Sequence, residues 1–370
     1  MDEKNTAIDL VQLLKVMVSR EASDAHLKVA RPPILRIKKD LVATEYPALE
    51  NKDIEKIAYF MMRERHRREF EQKNEVDFSY QMPDVGRFRV NVFRQRGDIG
   101  IVMRIVKNRI PTFEELMLPE TLRKIALFER GIVLVTGASS MGKSTTVAAM
   151  LDYVNRNRRC HIMTIEDPIE YIHEDRAAII NQREVGLDTD SFRQALRYVI
   201  RQDPDVILIG EMRDAETFQT ALAASETGHL VFSTLHASDT GQVVDRIMDF
   251  FPIEQHAMVR MQLSFNLRAV TCQRLMPRAD GSGVVPAVEI MLINPTVMKL
   301  IRENKPERLL STLQSFSQEG MLTFNQSLVN LVQSKLITLE TARANSSHPE
   351  ALQMNLKGIF LDEDRRILGE

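Results

Sequence analysis

The sequence predicts an α/β protein whose larger, C-terminal part is built on a parallel sheet with helices on both faces. Between residues 131 and 234, short and wholly apolar runs alternate with helical segments, as in buried parallel strands. Before residue 107, strand-like runs accompany helical segments, which indicates a separate α+β domain. The length of 370 residues is that of about two or three domains.

The elements follow from polarity patterns taken in chain order. We expect a helix in the first 20 residues, where apolar side chains form one broad face, and a helical segment at 51–73. The predicted N-terminal strands are 26–29, 34–37, 75–81, 86–94 and 99–106. The predicted parallel strands are 131–136, 161–165, 206–209 and 229–234. Changes in these patterns divide the chain into an N-terminal domain (1–107), a linker (108–120), a core (121–294), a helical subdomain (295–344) and a polar, loosely attached tail (345–370).

The composition excludes several classes of protein. Lysine and arginine number 49 and acidic residues 51, so the net charge of −2 excludes nucleic-acid binding by bulk positive charge. Cys160 and Cys272 are too few for a four-thiolate zinc site or a disulfide framework, which favours a reducing cytosol. We expect neither a signal peptide nor a transmembrane helix, so membrane association would require a partner.

The segment 137–144 carries the pattern G-x-x-x-x-G-K-[ST] between a predicted strand and a predicted helix. Backbone N–H groups of such a loop converge on phosphate oxygens at a helix N-terminus. Lys143 is expected to contact the β- and γ-phosphates, and Ser144 to offer its hydroxyl to Mg²⁺. The predicted nucleotide-binding residues are Gly137, Ala138, Ser139, Ser140, Met141, Gly142, Lys143, Ser144 and Thr145.

Ser140 stands where many such loops carry a third glycine. A non-glycine residue with positive φ is costly. We therefore expect the loop to bind nucleotide with an altered affinity.

Two acidic residues follow predicted parallel strands, at the sheet edge where ligands bind in open α/β folds. Glu166 follows the second strand and is the candidate that orients or activates the attacking water. Glu211 follows the apolar run 206–209, as in a Walker B motif, and would hold Mg²⁺ through water. Each acid could also be an ordinary acidic turn.

His229 and His236 flank one short predicted strand. Such a strand spans roughly 20 Å, so the two side chains cannot ligate one metal ion. His236, at the carboxyl end, could sense the γ-phosphate or stabilise a subunit contact. Both histidines could equally be structural.

Arginines are concentrated in the strand-like segment 86–96, where alternation places Arg87 and Arg89 on one face, with Arg104 nearby. They could act as arginine fingers on a γ-phosphate or form a solvated basic face. Nucleic-acid binding is a third interpretation, but Phe88 and Phe93 are the segment's only aromatic residues.

Together these motifs resemble those of the type IV pilus retraction ATPases, the PilT/PilU branch of the secretion ATPase superfamily. The resemblance extends nearly end to end, through segments 23–27, 86–91, 137–144, 164–170, 181–186, 203–214, 227–229, 234–236 and 295–304. Within this branch, segment 264–270 and the polar C-terminal extension are more similar to PilU than to PilT.

The resemblance implies a PAS-like N-terminal domain, a RecA-like ATPase domain with a C-terminal helical bundle, and a homohexameric ring that binds ATP and Mg²⁺. By position, Glu166 matches the catalytic glutamate, and Glu211 the Walker B acid. The remaining matched residues are His229 and His236 in the histidine box, and Arg89 and Arg104 as arginines that reach the nucleotide. Arg87, Arg94 and Arg96 match less closely.

The expected function is ATP-driven pilus retraction in twitching motility, by a PilU-type enzyme. The expected location is cytoplasmic, peripheral at the inner membrane through the pilus machinery. Its partners would be an inner-membrane pilus platform protein and a paralogous retraction ATPase, with neither nucleic acid nor zinc. The alternative is an accessory ring with little motor activity of its own. A conjugation or DNA-uptake ATPase is disfavoured by the retraction motif at 295–304.

Two departures and one absence qualify this resemblance. Ser140-Met141 replaces the usual Gly-Ser, and Val297-Met298-Lys299 replaces the usual Ala-Ile-Arg of the retraction motif. The second departure bears on coupling to the pilus machinery. Cys272 stands alone where assembly and secretion relatives carry a tetracysteine zinc insertion, which favours the retraction branch.

Overall fold

The computed structural model describes residues 9–38, 40–106 and 109–357. Its two sheets and their surrounding helices confirm the predicted α/β fold class. Among the described residues, one compact unit comprises those up to 109 with the short segments 168–172 and 184–188, and the second comprises the others from 110 onwards. The domains expected from sequence are consecutive pieces of chain, whereas the first unit also includes two short segments that follow Asp167 and Arg183.

The first unit is a sheet of antiparallel strands covered by helices. Its elements are α1 (Leu10–Ser19), β1 (Ala22–Leu27), β2 (Ile34–Ile37), β3 (Asp40–Ala43), α2 (Asn51–Met61), α3 (Glu64–Lys73), β4 (Glu75–Met82), β5 (Gly86–Gln95) and β6 (Asp98–Ile105). Within the described residues the strand order is β3-β2-β1-β6-β5-β4. Strand β3 was not predicted, and the single helix predicted at 51–73 is interrupted between α2 and α3.

Helix α1 illustrates how local sequence builds this unit. The Asp9 carboxylate accepts hydrogen bonds from the backbone N–H groups of Val11 and Gln12, which caps the helix N-terminus. Leu13, Leu14 and other apolar residues at helical spacing are buried against the sheet. The predicted helix is therefore present from residue 10, while residues 1–8 lie outside the described part of the chain.

The second unit contains the larger sheet. Its elements up to the sheet's far edge are α4 (Glu120–Ala126), β7 (Gly131–Thr136), α5 (Lys143–Asn157), β8 (His161–Glu166), β9 (Ile179–Glu184), α6 (Phe192–Val199), β10 (Val206–Ile209), α7 (Ala215–Glu226), β11 (Leu230–Leu235), α8 (Gln242–Met248), α9 (His256–Asn266), β12 (Leu267–Pro277) and β13 (Val284–Leu292). The C-terminal helices are α10 (Pro295–Glu303), α11 (Leu309–Ser315), α12 (Phe324–Gln333), α13 (Leu339–Asn345) and α14 (Pro349–Leu356).

In the described residues the strand order of this sheet is β13-β12-β7-β11-β10-β8-β9. Strands β12, β7, β11, β10 and β8 pair in parallel, whereas β13 is antiparallel to β12. Every residue of β7, β10 and β11 is buried, which explains their continuous apolar sequences. Strands β9, β12 and β13 were not predicted. In β9 and β12, polar residues such as Gln182 and Gln273 interrupt the apolar pattern.

The predicted polar tail is attached more firmly than expected. Its first part forms α14, and Leu352 of this helix is fully buried in a cluster that includes Leu328 and Ala342. The rest of the tail, residues 358–370, and the first linker residue, Asn108, lie outside the described residues. None of the helices in the described part of the chain combines the length and the hydrophobicity that a membrane span requires.

One buried ion pair connects the additional segments to the sheet of the first unit. Arg87 of β5 donates to Glu184 at 2.8 Å, and the same carboxylate oxygen accepts the Ile169 backbone N–H at 3.0 Å. The side chains of Arg87 and Glu184 are only 14% and 5% exposed. The segment after Glu166 is thus held by a strand that lies about 80 residues earlier in the chain.

We expect Arg87→Ala to destabilise this segment by about 3–5 kcal/mol, because it leaves a buried carboxylate without its partner. Hydrogen exchange of peptides covering residues 168–172, in the full-length protein, measures the effect. The matched control is Arg89→Ala on the same strand, since Arg89 is 48% exposed and its contact to Asp77 is 3.7 Å. Equal exchange in the two variants would contradict a stabilising role for the buried pair.

Candidate active site

The phosphate loop occupies the carboxyl end of β7, directly before α5. Gly137 has a φ of 145°, and a Cβ atom there would lie 2.5 Å from the Gln273 carbonyl oxygen. At Gly142, where φ is 78°, a Cβ atom would lie 2.8 Å from the Gln273 side-chain nitrogen. Both glycines are therefore required by close approach to β12 as well as by backbone conformation.

Ser140 adopts a φ of 63°, in the left-handed region. This is the conformation in which a glycine would have avoided the steric cost. The loop therefore has the fold of a phosphate loop, with strain at the position that departs from the family pattern.

Gln273 of β12 connects the phosphate loop to helix α5, and this residue was not predicted from the sequence. Its Nε2 donates to the Met141 carbonyl oxygen at 2.7 Å, while its Oε1 accepts from the Thr146 hydroxyl at 2.8 Å. The residue is 2% exposed, so both of its polar groups are satisfied inside the protein. The one available signal was a glutamine among the mostly apolar residues 267–277.

Lys143 and Glu211 are joined through His236. The Lys143 Nζ donates to the carbonyl oxygens of Gly137 and Ala138 at 2.9 Å, and lies 3.5 Å from His236 Nδ1. His236 Nε2 lies 3.2 Å from Glu211 Oε1. Because an ammonium group can only donate, Nδ1 accepts and Nε2 carries the proton toward the carboxylate. The predicted lysine, histidine and Walker B acid thus form one chain of contacts.

Arg213 contacts the other oxygen of Glu211. Its Nε and terminal nitrogen donate to Glu211 Oε2 at 2.8 and 2.7 Å. This hydrogen bonding raises the pKa of the Arg213 guanidinium above its ordinary value. Sequence reasoning noted Arg213 as part of segment 203–214 without assigning it a role.

Glu166 ends β8, which is separated from β11 by β10. Its Oε1 accepts from the Thr164 hydroxyl at 2.6 Å and from Gln182 Nε2 at 3.1 Å. Parallel pairing brings Glu166, Glu211 and the phosphate loop to the same edge of the sheet. This is the edge that the sequence predicted for the acids.

His229 lies at the opposite end of β11 from His236. Its Nδ1 is 2.8 Å from the Ala224 carbonyl oxygen and 3.1 Å from the Thr227 hydroxyl. Within its own chain His229 therefore contacts the end of α7. Its assignment to the site stays a prediction.

Arg89 and Arg104 of the first unit contact acids of that unit. Arg104 Nε donates to Asp24 at 2.7 Å, while 68% of its side chain is exposed. Arg89 lies 3.7 Å from Asp77. The assignment of Arg89 and Arg104 to the nucleotide stays a prediction. Arg87 forms an ion pair with Glu184.

The segment 295–304, which resembles the retraction motif, contains α10, and Asn294 caps this helix by accepting the Val297 backbone N–H. Val297 is fully buried, whereas Lys299 is exposed and lies 3.8 Å from Glu303. The first departure from the usual motif thus changes internal packing, and the third changes the surface.

A parallel sheet with a phosphate loop, a Walker B acid and a further acid at its carboxyl edge defines a P-loop nucleotide-binding domain. Residues 4–308 match the family described as type II/IV secretion system protein. The chain therefore belongs to this family, and it is an ATPase.

Two relatives and one solved structure locate it within the family. PilT of Pseudomonas aeruginosa, a type IV pilus retraction ATPase, is 45% identical over 343 residues, covering 93% of this chain and 99% of PilT. The type IV pilus ATPase PilU of the same organism is 41% identical over 350 residues, which cover 95% of this chain and 92% of PilU. The crystal structure of the pilus retraction motor PilT with bound ADP has a TM-score of 0.85 at 44% identity. The match covers 93% of this chain and 98% of the PilT chain. The resemblance to the PilT/PilU branch is confirmed.

We expect Ser140→Gly to strengthen ATP binding by up to about fivefold, since it removes a left-handed strain of roughly 1 kcal/mol. Titration with ATP measures this. Ser139→Gly is the control, because Ser139 is exposed and its φ is not positive. Identical dissociation constants for Ser140→Gly and the unaltered protein would contradict the strain argument.

We expect Gln273→Leu to weaken nucleotide binding and to destabilise the protein by about 1–3 kcal/mol, because the Met141 carbonyl and the Thr146 hydroxyl lose a buried partner. Thr271→Val on the same strand is the control. Among the described residues the Thr271 hydroxyl has no hydrogen-bond partner, so its removal is expected to be neutral or stabilising. Calorimetric unfolding and ATP titration test both variants, and equal effects would exclude a specific role for Gln273.

Proposed function

We propose that this protein is a homohexameric motor ATPase that hydrolyses ATP to power type IV pilus retraction and twitching motility. The observation that carries the proposal is the contact chain from Lys143 through His236 to Glu211 at a RecA-like sheet edge. Similarity to PilT over 93% of the chain supports the pilus system as its setting.

The loop residues Gly137–Thr145 bind the phosphates of ATP through backbone N–H groups, and the Lys143 ammonium neutralises the β- and γ-phosphates. Glu166 orients and deprotonates the attacking water. Ser144 and Glu211 supply the hard oxygen atoms that suit Mg²⁺, which when bound would neutralise phosphate charge. The connection of Glu211 to the loop through His236 supports this pairing.

His236 is the γ-phosphate sensor in this proposal. Its two ring nitrogens face Lys143 and Glu211, so a phosphate that draws the lysine away from the loop carbonyls also changes the hydrogen bonding of the histidine. Glu211 holds His236 through Oε1 and Arg213 through Oε2, so a weakened histidine contact leaves it bonded to Arg213. In this way the state of the nucleotide alters side chains at the strand ends before any domain moves.

Assembly completes the site in the hexamer. Arg89, Arg104 and His229 contribute at nucleotide sites and subunit contacts, as in the family that they match. The ring is cytoplasmic and peripheral at the inner membrane, where it acts on a pilus platform protein. The exposed Lys299 side of α10 is one surface through which coupling would differ from that of other members.

The PilU-type assignment rests on segment 264–270 and the polar C-terminal extension. Identities of 45% to PilT and 41% to PilU do not separate the two. The alternative is an accessory ring that binds ATP and assists another retraction ATPase. The left-handed Ser140 in the phosphate loop is the observation that favours this alternative.

Phosphate release by the purified full-length protein tests the enzyme. We expect Lys143→Ala to abolish turnover and Glu166→Gln to lower it by about 10²–10⁴-fold, the usual contribution of a general base. Glu174→Gln is the charge-matched control, since Glu174 is exposed and pairs with Arg176. Turnover that survives Lys143→Ala would refute the motor.

Pilus dynamics in cells separates the motor from the accessory ring. The protein and its Glu166→Gln variant are each produced with and without a paralogous retraction ATPase. A motor restores retraction alone and depends on Glu166, whereas an accessory ring restores it only beside the paralogue.

A further inference from the structure

The carboxylate of Glu166 is held by a side chain from the neighbouring strand. Thr164, two residues earlier on β8, donates to Oε1 at 2.6 Å. Gln182 of β9 donates to the same oxygen at 3.1 Å. Two donors on one oxygen fix the rotation of the carboxylate plane, so its second oxygen takes a defined direction.

The orientation of the Gln182 amide is itself determined. The His173 backbone N–H donates to Gln182 Oε1 at 2.8 Å. A backbone N–H cannot accept a hydrogen bond, so the amide oxygen must face His173 and the NH₂ group must face Glu166. The chain His173–Gln182–Glu166 therefore has one direction, with its donor end on the carboxylate.

We propose that Gln182 is a positioning residue for ATP hydrolysis. It holds the Glu166 carboxylate in the orientation in which one of its oxygens can accept a proton from the attacking water. The inference rests on the proposed role of Glu166 as the base. Thr164 lies on the same strand as Glu166, so its hydrogen bond positions the carboxylate relative to β8 alone. Gln182 adds a contact from β9, so that the carboxylate depends on the register of two strands.

The simpler alternative is that Gln182 only joins β9 to β8. The neighbouring residue already does this, because Asn181 Nδ2 lies 2.8 Å from His161 Nε2 at the other end of β8. Asn181 thus provides a matched comparison: a polar contact between the same two strands that does not reach Glu166.

The experiment compares three variants of the full-length protein in steady-state ATP hydrolysis and in ATP binding. Gln182→Met removes the donor while keeping an unbranched side chain of similar length. Gln182→Glu keeps the acceptor for His173 and loses the donor. We expect kcat to fall roughly tenfold to a hundredfold in both, with the ATP dissociation constant unchanged, because a misplaced catalytic group affects chemistry more than binding.

Asn181→Ala is expected to change kcat by no more than about twofold, as for a surface substitution. The decisive measurement is a double-mutant cycle with Glu166→Gln. If Gln182 acts through Glu166, then Gln182→Met adds no further loss to the residual turnover of Glu166→Gln. Multiplying losses, or a loss for Asn181→Ala equal to that for Gln182→Met, would overturn the proposal.

Failure of this inference and failure of the proposed function have different signatures. Loss of Lys143 dependence in the unaltered background would refute the enzyme itself. If turnover depends on Lys143 but the losses caused by Gln182→Met and Glu166→Gln multiply in the double mutant, only the role of Gln182 is refuted. If Gln182→Met fails to fold, Gln182→Leu supplies the same comparison, because it also removes the donor and adds no charge beside Glu166.

Discussion

The parallel pairing of fully buried strands is the constraint on which the catalytic edge depends. Strands β7, β11, β10 and β8 run in the same direction, so their carboxyl ends meet at one edge of the sheet. The phosphate loop, His236, Glu211 and Glu166 follow these ends in that spatial order. Residues separated by up to 99 positions in sequence thereby share one site, and helices covering both faces keep the strands free of water.

Two glutamines, the buried Gln273 and the half-buried Gln182, refine this arrangement. Gln273 connects the phosphate loop to the first turns of α5, and Gln182 connects Glu166 to the backbone at His173. In both cases the amide donates at one end and accepts at the other, so it fixes the relative position of two chain segments. A satisfied polar network of this kind favours a single geometry, because each alternative leaves a polar group without its partner.

Much of the fold was predictable where the pattern is local. The parallel strands β7, β8, β10 and β11 were predicted within a residue or two, because wholly buried strands have continuous apolar sequences. Strands β9 and β12 were missed because Gln182 and Gln273 interrupt their apolar pattern. The tail was expected to be loose from its polarity, but Leu352 buries one face of α14.

The sequence by itself determined the phosphate loop and the placement of Glu166, Glu211 and His236 after strands, since these depend on short motifs and local periodicity. Only the tertiary structure decided which of these residues touch, that Gln182 and Gln273 orient them, and that Arg87 pairs with Glu184. These contacts join positions between 16 and 132 residues apart. They follow from strand order and direction, which the polarity of individual strands does not encode.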